Sequence, residues 1–164
     1  MAPGRRSGTL GYCARAMRIP SPLAGVAGEY FVAGELSRRG YIASISLRNT
    51  RGIDIVATNA EASRSITIQC KTSQVARKVW VLNEKSEEFV SATHFYVFVA
   101  LGGVSERPTY HVVPSSDVAK QTRELHREWL LKPGRGGRKH VDNAVRNFSD
   151  RRDAYLERWD LLGL

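Results

Sequence analysis

Two segments of the chain decide its fold: Gly52-Ile-Asp-Ile-Val-Ala57 and Ser65-Ile-Thr-Ile-Gln-Cys-Lys-Thr-Ser73. Both have the alternating, β-branched character of a strand, and a short polar connection separates them, which predicts two neighbouring strands. Successive side chains on a strand point to opposite faces, so Gln69 and Lys71 share one face of the second strand. Asp54 lies on the first strand. We therefore expect an acid, an amide and an ammonium group close together.

These three side chains have the chemistry that metal-assisted hydrolysis of a phosphodiester needs. A hard cation such as Mg²⁺ is held by carboxylate and amide oxygens. The bound cation activates water and neutralises the charge that develops on the phosphate, and a nearby ammonium group adds to that stabilisation. The pattern makes a nuclease the first interpretation of the chain.

Length and composition are those of an ordinary globular protein. The 164 residues fit one domain, and a chain of that length buries about two thirds of its unfolded surface without disulfides. Cys13 and Cys70 have neither the number nor the spacing of a disulfide framework or a zinc site. No apolar run approaches the ~20 residues that cross a bilayer. We therefore expect a cytoplasmic protein with no membrane partner.

The chain is strongly basic. Its formal net charge is +9, and residues 1–18 contain four arginines and no acids. Positive charge favours a polyanionic partner, because each phosphate contact releases counterions. A basic arm alone can produce the same total, so charge supports DNA as the partner without deciding it.

The chain divides into a short arm and one domain. Residues 1–20 are rich in Gly, Arg, Pro and Ser and are expected to form a flexible basic arm. Residues 21–164 are expected to form a single nuclease domain with a C-terminal helical extension. Ser21 and Pro22 signal the start of a first helix and Gly40 its end. Helical spacing predicts the buried stripe of this helix to be Leu23, Ala27, Tyr30, Phe31 and Gly34.

Strands and further helices follow. Strands are predicted at residues 41–47, 53–58, 65–71, 94–101 and 110–113. Helices are predicted at 83–91, 115–132 and 150–161, with a basic, glycine-rich loop at 133–140. Together these elements predict an α/β or α+β fold in which a central mixed sheet of about five strands is flanked by helices.

This order of elements resembles the PD-(D/E)xK nuclease superfamily, whose core is restriction-endonuclease-like. The resemblance is to Holliday-junction-resolvase-like and Mrr-like catalytic domains in particular. It rests on Gly52–Ala57, on Ile68–Lys71, and on Glu29, which stands eleven residues before Gly40 as the helix glutamate of the resolvases does. The chain departs from the family pattern in having Ile53 where a proline is usual. It also has Gln in place of the second acid.

The resemblance implies a role for each matching residue. Asp54 would bind Mg²⁺ or Mn²⁺ directly, and Gln69 would contribute its side-chain oxygen. The backbone carbonyl of Cys70 would be a further ligand, and Glu29 would hold a second ion or a coordinated water. Lys71 would orient or help to deprotonate the attacking water. We also expect a homodimer, because so small a core usually doubles itself to cut both strands.

Other residues are candidates with plain alternatives. Contacts to the DNA backbone are predicted for Thr72, Ser73, Arg135, Arg138 and Lys139. The first two could equally end the strand, and the other three could belong to a solvated loop. Glu29 could be a solvated helix residue, in which case Glu35 is the fallback acid.

Gln69 keeps a second hypothesis open. Its neutral side chain removes a negative charge from the metal site, which is expected to weaken cation binding. The alternative is therefore a catalytically weak or inactive module of the same fold that binds nucleic acid or another protein. A ribonuclease would use the same site chemistry, so the sequence leaves DNA and RNA open.

Overall fold

The computed structural model describes residues 18–47, 52–75 and 78–164. In chain order the elements are α1 (Ser21–Arg38), β1 (Ile42–Ile45), β2 (Ile55–Thr58), β3 (Ser65–Ser73), β4 (Val79–Asn83), β5 (His94–Ala100), β6 (Thr109–Pro114), α2 (Ser115–Leu131) and β7 (Val145–Ser149). Short 3₁₀ turns lie at Glu84–Glu87, Arg135–Gly137 and Trp159–Leu162. Neither α-helix of the described ranges is long and apolar enough to cross a membrane.

A mixed five-stranded sheet in the order β1-β2-β3-β5-β6 forms the centre of the fold. Strands β1, β2 and β3 pair antiparallel, β5 runs parallel to β3, and β6 runs antiparallel to β5. The parallel register sets Gln69 beside Tyr96 and Lys71 beside Phe98. The predicted central sheet is confirmed, and its five strands end within two residues of the predicted limits.

Helix α1 covers one face of the sheet and buries an aliphatic core. Val32 and Leu36 of the helix pack with Ile55, Ile66 and Ile68 of the strands, and all five side chains are fully buried or nearly so. The later strands β5 and β6 and the C-terminal 3₁₀ turn complete this face with Val97, Val112 and Leu162.

The orientation of α1 differs from the prediction. Within the predicted stripe, Leu23, Tyr30 and Phe31 are exposed. The buried positions are Ala24, Gly28, Val32, Glu35 and Leu36. A Cβ added at Gly28 would overlap the hydroxyl oxygen of Thr72, so glycine at this position lets the helix approach β3 closely. Because α1 has apolar residues on both sides, periodicity alone could not identify the side that faces the sheet.

An aromatic layer covers part of the opposite face. Strands β4 and β7 pair antiparallel as a separate two-stranded sheet, which we call the β4–β7 ribbon. Phe148 of the ribbon stacks on Phe98 of the central sheet with ring centroids 4.2 Å apart. Trp80 of β4 and Val118 of α2 belong to the same buried cluster. Val56 on β2 remains 41% exposed. The layer therefore stops short of β2 and leaves the adjoining part of β3 open.

The C-terminal region contains the main errors of the sequence prediction. The predicted helix over residues 150–161 is wrong, because residues 151–158 form turns and an isolated bridge, and only a 3₁₀ turn follows. Asp153 and Glu157 have positive φ angles of 57° and 54°, which interrupt a right-handed helix. The side chain of Asp150 holds the turn by accepting the backbone N–H groups of Ala154 and Tyr155, both at 2.9 Å.

Other predictions in this half have mixed outcomes. The helix predicted at 115–132 is confirmed as α2, whereas the one predicted at 83–91 shortens to a 3₁₀ turn. Strands β4 and β7, each of five residues, were not predicted. Most of the predicted arm, residues 1–17, lies outside the described residues.

Candidate active site

Asp54 stands immediately before β2, where the pairing with β3 begins. Its backbone N–H donates to the carbonyl oxygen of Ile68 at 2.9 Å, and its Oδ2 accepts the backbone N–H of Cys70 at 2.7 Å. In an antiparallel pair the N–H and C=O of one residue point to the same side of the strand. The carbonyl of Cys70 therefore faces Asp54, and a carboxylate and a peptide oxygen lie together at the end of the ladder.

Gln69 and Lys71 point to the face opposite α1 and line a cleft of about 570 Å³. Both side chains are half-buried. Asn83, Lys85 and Tyr96 line the same cleft. Lys71 has no ion-pair partner in the described ranges, so its ammonium group is available to an anion in the cleft.

Charges from three different elements surround the thiol of Cys70. Burial raises the pKa of this thiol well above its usual value, and the charges of Asp54 and Glu29 raise the pKa further, whereas Lys71 acts in the opposite direction. The charge of Glu29 on α1 therefore acts on the same thiol as the charges of Asp54 and Lys71. Glu29 directly follows Gly28, whose missing side chain allows α1 to approach β3.

The arrangement of elements was compared with known proteins. No family model and no curated protein matches the sequence. Among solved structures, the bacterial homing endonuclease I-Ssp6803I is 18% identical, with a TM-score of 0.52 over 89% of this chain and 94% of that protein. This chain has a restriction-endonuclease-like fold. Hjc, a Holliday junction resolvase from the archaeal hyperthermophile Archaeoglobus fulgidus, is 13% identical, with a TM-score of 0.43 over 77% of this chain and 84% of that protein.

Tyr96 belongs to this part of the restriction-endonuclease-like fold and was not predicted from the sequence. It lies beside Gln69 in the parallel register and lines the cleft. Burial and the charge of Asp54 raise the pKa of Tyr96 to about 12, so its hydroxyl is neutral and can donate a hydrogen bond. The signal that could have found it is the pairing of β5 with β3, which sequence patterns alone do not give.

Glu35, the fallback acid, has a structural role. It is buried, and its carboxylate pairs with Arg38, Arg39 and Arg107 at 3.0–3.1 Å. These contacts tie the end of α1 to the segment before β6. Glu29, unlike Glu35, is an acid of α1 whose charge acts on the thiol of Cys70.

The predicted DNA-contacting residues are dispersed. The hydroxyl of Thr72 is buried against Gly28, and that of Ser73 bonds with the backbone of Val75 at 3.2 Å. Neither residue lines the cleft. The three loop cations Arg135, Arg138 and Lys139 are exposed and also lie outside the cleft lining.

The oxygen donors of Asp54, Gln69 and Cys70 are of the kinds that a hard divalent cation binds, and of these three residues Gln69 lines the cleft. Asp54 retains an oxygen beyond the one bound to Cys70, and Gln69 and the Cys70 carbonyl add neutral oxygens. Oxygen ligands of these kinds suit Mg²⁺ and Mn²⁺. Glu29 brings a second carboxylate from α1.

A second group of possible ligands lies elsewhere on the fold. His111, Asp150 and Asp153 have ligand atoms within 4.8 Å of one another. Asp150 already accepts His111 Nδ1 at 2.7 Å and two backbone N–H groups, and Asp153 is paired with Lys78 at 2.6 Å. Protein donors therefore neutralise this group, and it resembles a turn-stabilising network more than a cation site.

Proposed function

We propose that this chain is a metal-dependent DNA endonuclease that hydrolyses phosphodiester bonds at a site formed by Asp54, Gln69 and Lys71. The observation that carries the proposal is the bond between Asp54 and the N–H of Cys70. This bond holds the Asp54 carboxylate against Cys70 of β3. The two residues that flank Cys70, Gln69 and Lys71, both line the cleft. The fold shared with a homing endonuclease supports the same conclusion.

The ligands proposed for Mg²⁺ or Mn²⁺ are Asp54, the Gln69 side-chain oxygen and the Cys70 carbonyl, with Glu29 nearby. When bound, the cation supplies Lewis-acid stabilisation of phosphate charge and lowers the pKa of coordinated water. The N–H of Cys70 holds one oxygen of Asp54, which orients the carboxylate before substrate binds. Asp54 therefore needs little reorganisation when DNA enters.

Lys71 is proposed to act on the scissile phosphate. Its ammonium group lies in the cleft and has no ion-pair partner in the part of the chain that is described. A protonated lysine there attracts the phosphate, orients the attacking water and stabilises the charge that develops as the P–O bond breaks. Tyr96 is proposed as a positioning residue, since its neutral hydroxyl can donate to a non-bridging phosphate oxygen.

We also propose that the protein acts as a homodimer in the cytoplasm. Leu23, Tyr30 and Phe31 form an exposed apolar stripe on α1, and a helix that is apolar on both sides is usually buried on both. Two copies related by a two-fold axis would present one site to each strand. Light scattering should give a dimer mass that Tyr30→Glu lowers and the control Leu131→Glu does not. A wild-type monomer at micromolar concentration would contradict this.

An inactive binding module of the same fold is the second candidate. The observation that favours it is the neutral side chain of Gln69, which stands where related nucleases have a second acid. The proposed ligands from the β2–β3 pair then include one carboxylate, that of Asp54. A weakly held cation would leave a protein that binds DNA without cutting it. Restoration of cleavage by Gln69→Glu in an otherwise silent protein would support this candidate.

The deciding experiment is cleavage of supercoiled plasmid and of a four-way junction with Mg²⁺ or Mn²⁺. Wild-type protein should cleave, and EDTA should abolish cleavage. Asp54→Ala and Lys71→Ala should each reduce cleavage by at least about 100-fold while circular dichroism remains native. An equal assay on RNA decides between a deoxyribonuclease and a ribonuclease. Metal-dependent cleavage retained in both variants would overturn the proposed site.

A further inference from the structure

One segment of the chain is strongly basic. Residues 120–152 contain ten Lys and Arg and four Asp and Glu, which gives +6 of the total +9. Arg146 is buried and paired with Glu87. Several others are exposed, among them Arg135, Arg138 and Lys139, for which the sequence already predicts contacts to the DNA backbone. A cationic surface of this kind matches a polyanion.

The basic loop within this segment has a defined shape. The N–H of Gly134 donates to the carbonyl of Arg138 at 2.8 Å and closes the loop. Gly136 and Gly137 have φ angles of 72° and 74°, a conformation that glycine adopts at low cost. The cationic side chains of the loop, Arg135, Arg138 and Lys139, are exposed. They have no ion-pair partners within the described residues.

Aromatic rings attach the loop to helix α2. Trp129 near the end of α2 stacks on His140 with ring centroids 4.0 Å apart and an interplanar angle of 24°. The other neighbour of Trp129 is His126, at 5.4 Å. The Nε2 of His126 lies 2.8 Å from Asp142. The loop cations are therefore held beside the C-terminal half of α2.

A hollow of about 310 Å³ lies between this half of α2 and the outer face of the β4–β7 ribbon. It is lined by Leu125, His126, Trp129, Asn143, Val145 and Asn147. The amide of Asn147 has no hydrogen-bond partner among the described residues, so both its donor and its acceptor are available. An uncommitted amide in a hollow with an aromatic wall is suited to a planar, hydrogen-bonding ligand such as the edge of a base.

The ribbon also connects this hollow to the active-site cleft. Asn83 lines the cleft and pairs in the β4–β7 register with Val145, which lines the hollow. Val81, opposite Asn147 in the same register, is 65% exposed. The outer face of the ribbon is therefore uncovered and begins at the cleft.

We propose that the outer face of the β4–β7 ribbon enters the major groove of double-stranded DNA, with Asn147 contacting a base edge and Arg135 and Arg138 contacting phosphates. The major groove admits a two-stranded ribbon, and an Asn amide matches the donor and acceptor of adenine. Phosphate contacts fix the position of the protein, and the amide contact gives sequence preference. This inference rests on the proposed function, because it assigns to the nuclease the surface that selects its duplex.

Binding measurements test the phosphate contacts. In an Asp54→Ala background, duplex affinity is measured by fluorescence anisotropy at several salt concentrations. The double variant Arg135→Ser/Arg138→Ser should reduce the slope of log K against log salt by about 2, because each lost phosphate contact removes about 0.9. Arg64→Ser/Arg158→Ser removes the same charge elsewhere and should leave the slope within about 0.5 of the parent value.

Sequencing of cleaved ends tests the base contact. A library of random duplexes is cut by the wild type and by Asn147→Ala, and the positions that lose sequence preference are mapped. We expect Asn147→Ala to weaken an A·T preference at one position per site by about fivefold or more. Native melting curves exclude misfolding of the variant.

The outcomes separate this inference from the proposed function. Suppose that cleavage depends on Asp54, that Asn147→Ala keeps the sequence preference of the wild type, and that Arg135→Ser/Arg138→Ser keeps the salt slope of duplex binding. That result would overturn the inference and leave the proposed nuclease standing. A wild type that does not cut, yet binds duplex DNA with a slope that the loop variant reduces, would refute the nuclease and support the ribbon surface. Preference for single strands or RNA over the duplex would overturn the inference.

Discussion

The two faces of the central sheet are built in different ways. The α1 face buries mainly aliphatic side chains of α1 and of the central strands, and Trp159 and Leu162 of the C-terminal 3₁₀ turn pack with them. The opposite face is aromatic and is assembled from β4, α2 and β7, which lie far apart in the chain. One face is closed by α1 and the C-terminal 3₁₀ turn, whereas the other is only partly covered.

This difference explains where the chemistry lies. The second layer ends before β2, so the side chains of Gln69 and Lys71 open into a cleft instead of a core. On the α1 side, the charge of Glu29 acts on the buried thiol of Cys70. The candidate site therefore lies on β3, at the edge of the aromatic layer that covers only part of the face opposite α1.

The largest expected effect is the loss of the aromatic layer. Phe148→Ala should lower the free energy of unfolding by about 3–5 kcal/mol, because it removes a fully buried ring stacked on Phe98. Val145→Ala, on the exposed side of the same strand, should change it by less than about 0.5 kcal/mol. Urea unfolding measures both. Equal, small effects would mean that the ribbon does not contribute to the core.

Loss of the cleft ammonium comes next. Lys71→Ala should reduce plasmid cleavage by about 10²–10³-fold, which corresponds to about 2.7–4 kcal/mol of transition-state stabilisation. Lys85→Ala removes another lysine from the same cleft and should reduce the cleavage rate by less than about tenfold. A lysine that only binds a phosphate of the DNA is one of several such contacts, so its loss weakens binding without removing the catalytic charge. Initial rates of nicking at saturating Mn²⁺ test the pair. A larger loss in Lys85→Ala would reassign the catalytic lysine.

The close approach of α1 to β3 depends on Gly28. Gly28→Ala should destabilise the protein by about 1–3 kcal/mol, because the new methyl group overlaps Thr72, and it should also lower cleavage by displacing Glu29. Gly34 lies on the same helix with no atom near its missing side chain. Gly34→Ala should therefore stabilise the helix by about 0.5–1 kcal/mol. Melting curves with the same sign for both variants would contradict the orientation of α1.

A carboxylate in place of Gln69 should strengthen the proposed cation site. Gln69→Glu adds a negative charge beside Asp54, and the Mn²⁺ concentration for half-maximal cleavage should fall by about tenfold, since ligand charge tunes affinity. Gln69→Met keeps the approximate size and removes the oxygen, so it should raise that concentration. A metal titration that is unchanged in both variants would remove Gln69 from the ligand set.

The smallest expected effect is on the pH dependence of the free energy of unfolding, through the buried His94. Burial lowers the pKa of His94 from 6.5 to about 4, so the unfolded chain takes up a proton in this interval that the native protein does not. The stability is present above pH 6.5 and is lost as the pH falls towards 4. Between pH 7.5 and 5.5 the wild type should lose about 1 kcal/mol more than His94→Gln. The same pH dependence in both proteins would contradict this.

The sequence predicted the α1 side of the molecule better than the other. Alternation gave β2 and β3, and their order placed Asp54, Gln69 and Lys71 on two adjacent strands. The same patterns failed for the orientation of α1, because a steric contact at Gly28 and not hydrophobicity selects its inner side. A single helix with two apolar sides cannot be oriented from its own periodicity.

The second layer was less predictable for a different reason. Strands β4 and β7 have five residues each and pair across more than sixty positions of sequence. Nothing local identifies such partners. The final helix failed because Asp150 competes for the backbone N–H groups of Ala154 and Tyr155 and holds a turn. Tyr96 was missed because its place in the cleft depends on the parallel pairing of β5 with β3.

The most direct test of the account compares the two groups of carboxylates. Mn²⁺-supported nicking of supercoiled plasmid is measured for the wild type, Asp54→Asn and Asp153→Asn, each with a native melting curve. We expect Asp54→Asn to lose at least about 100-fold in rate and Asp153→Asn, which removes the partner of Lys78, to stay near the wild type. Full cleavage by Asp54→Asn with a silent Asp153→Asn would contradict this expectation.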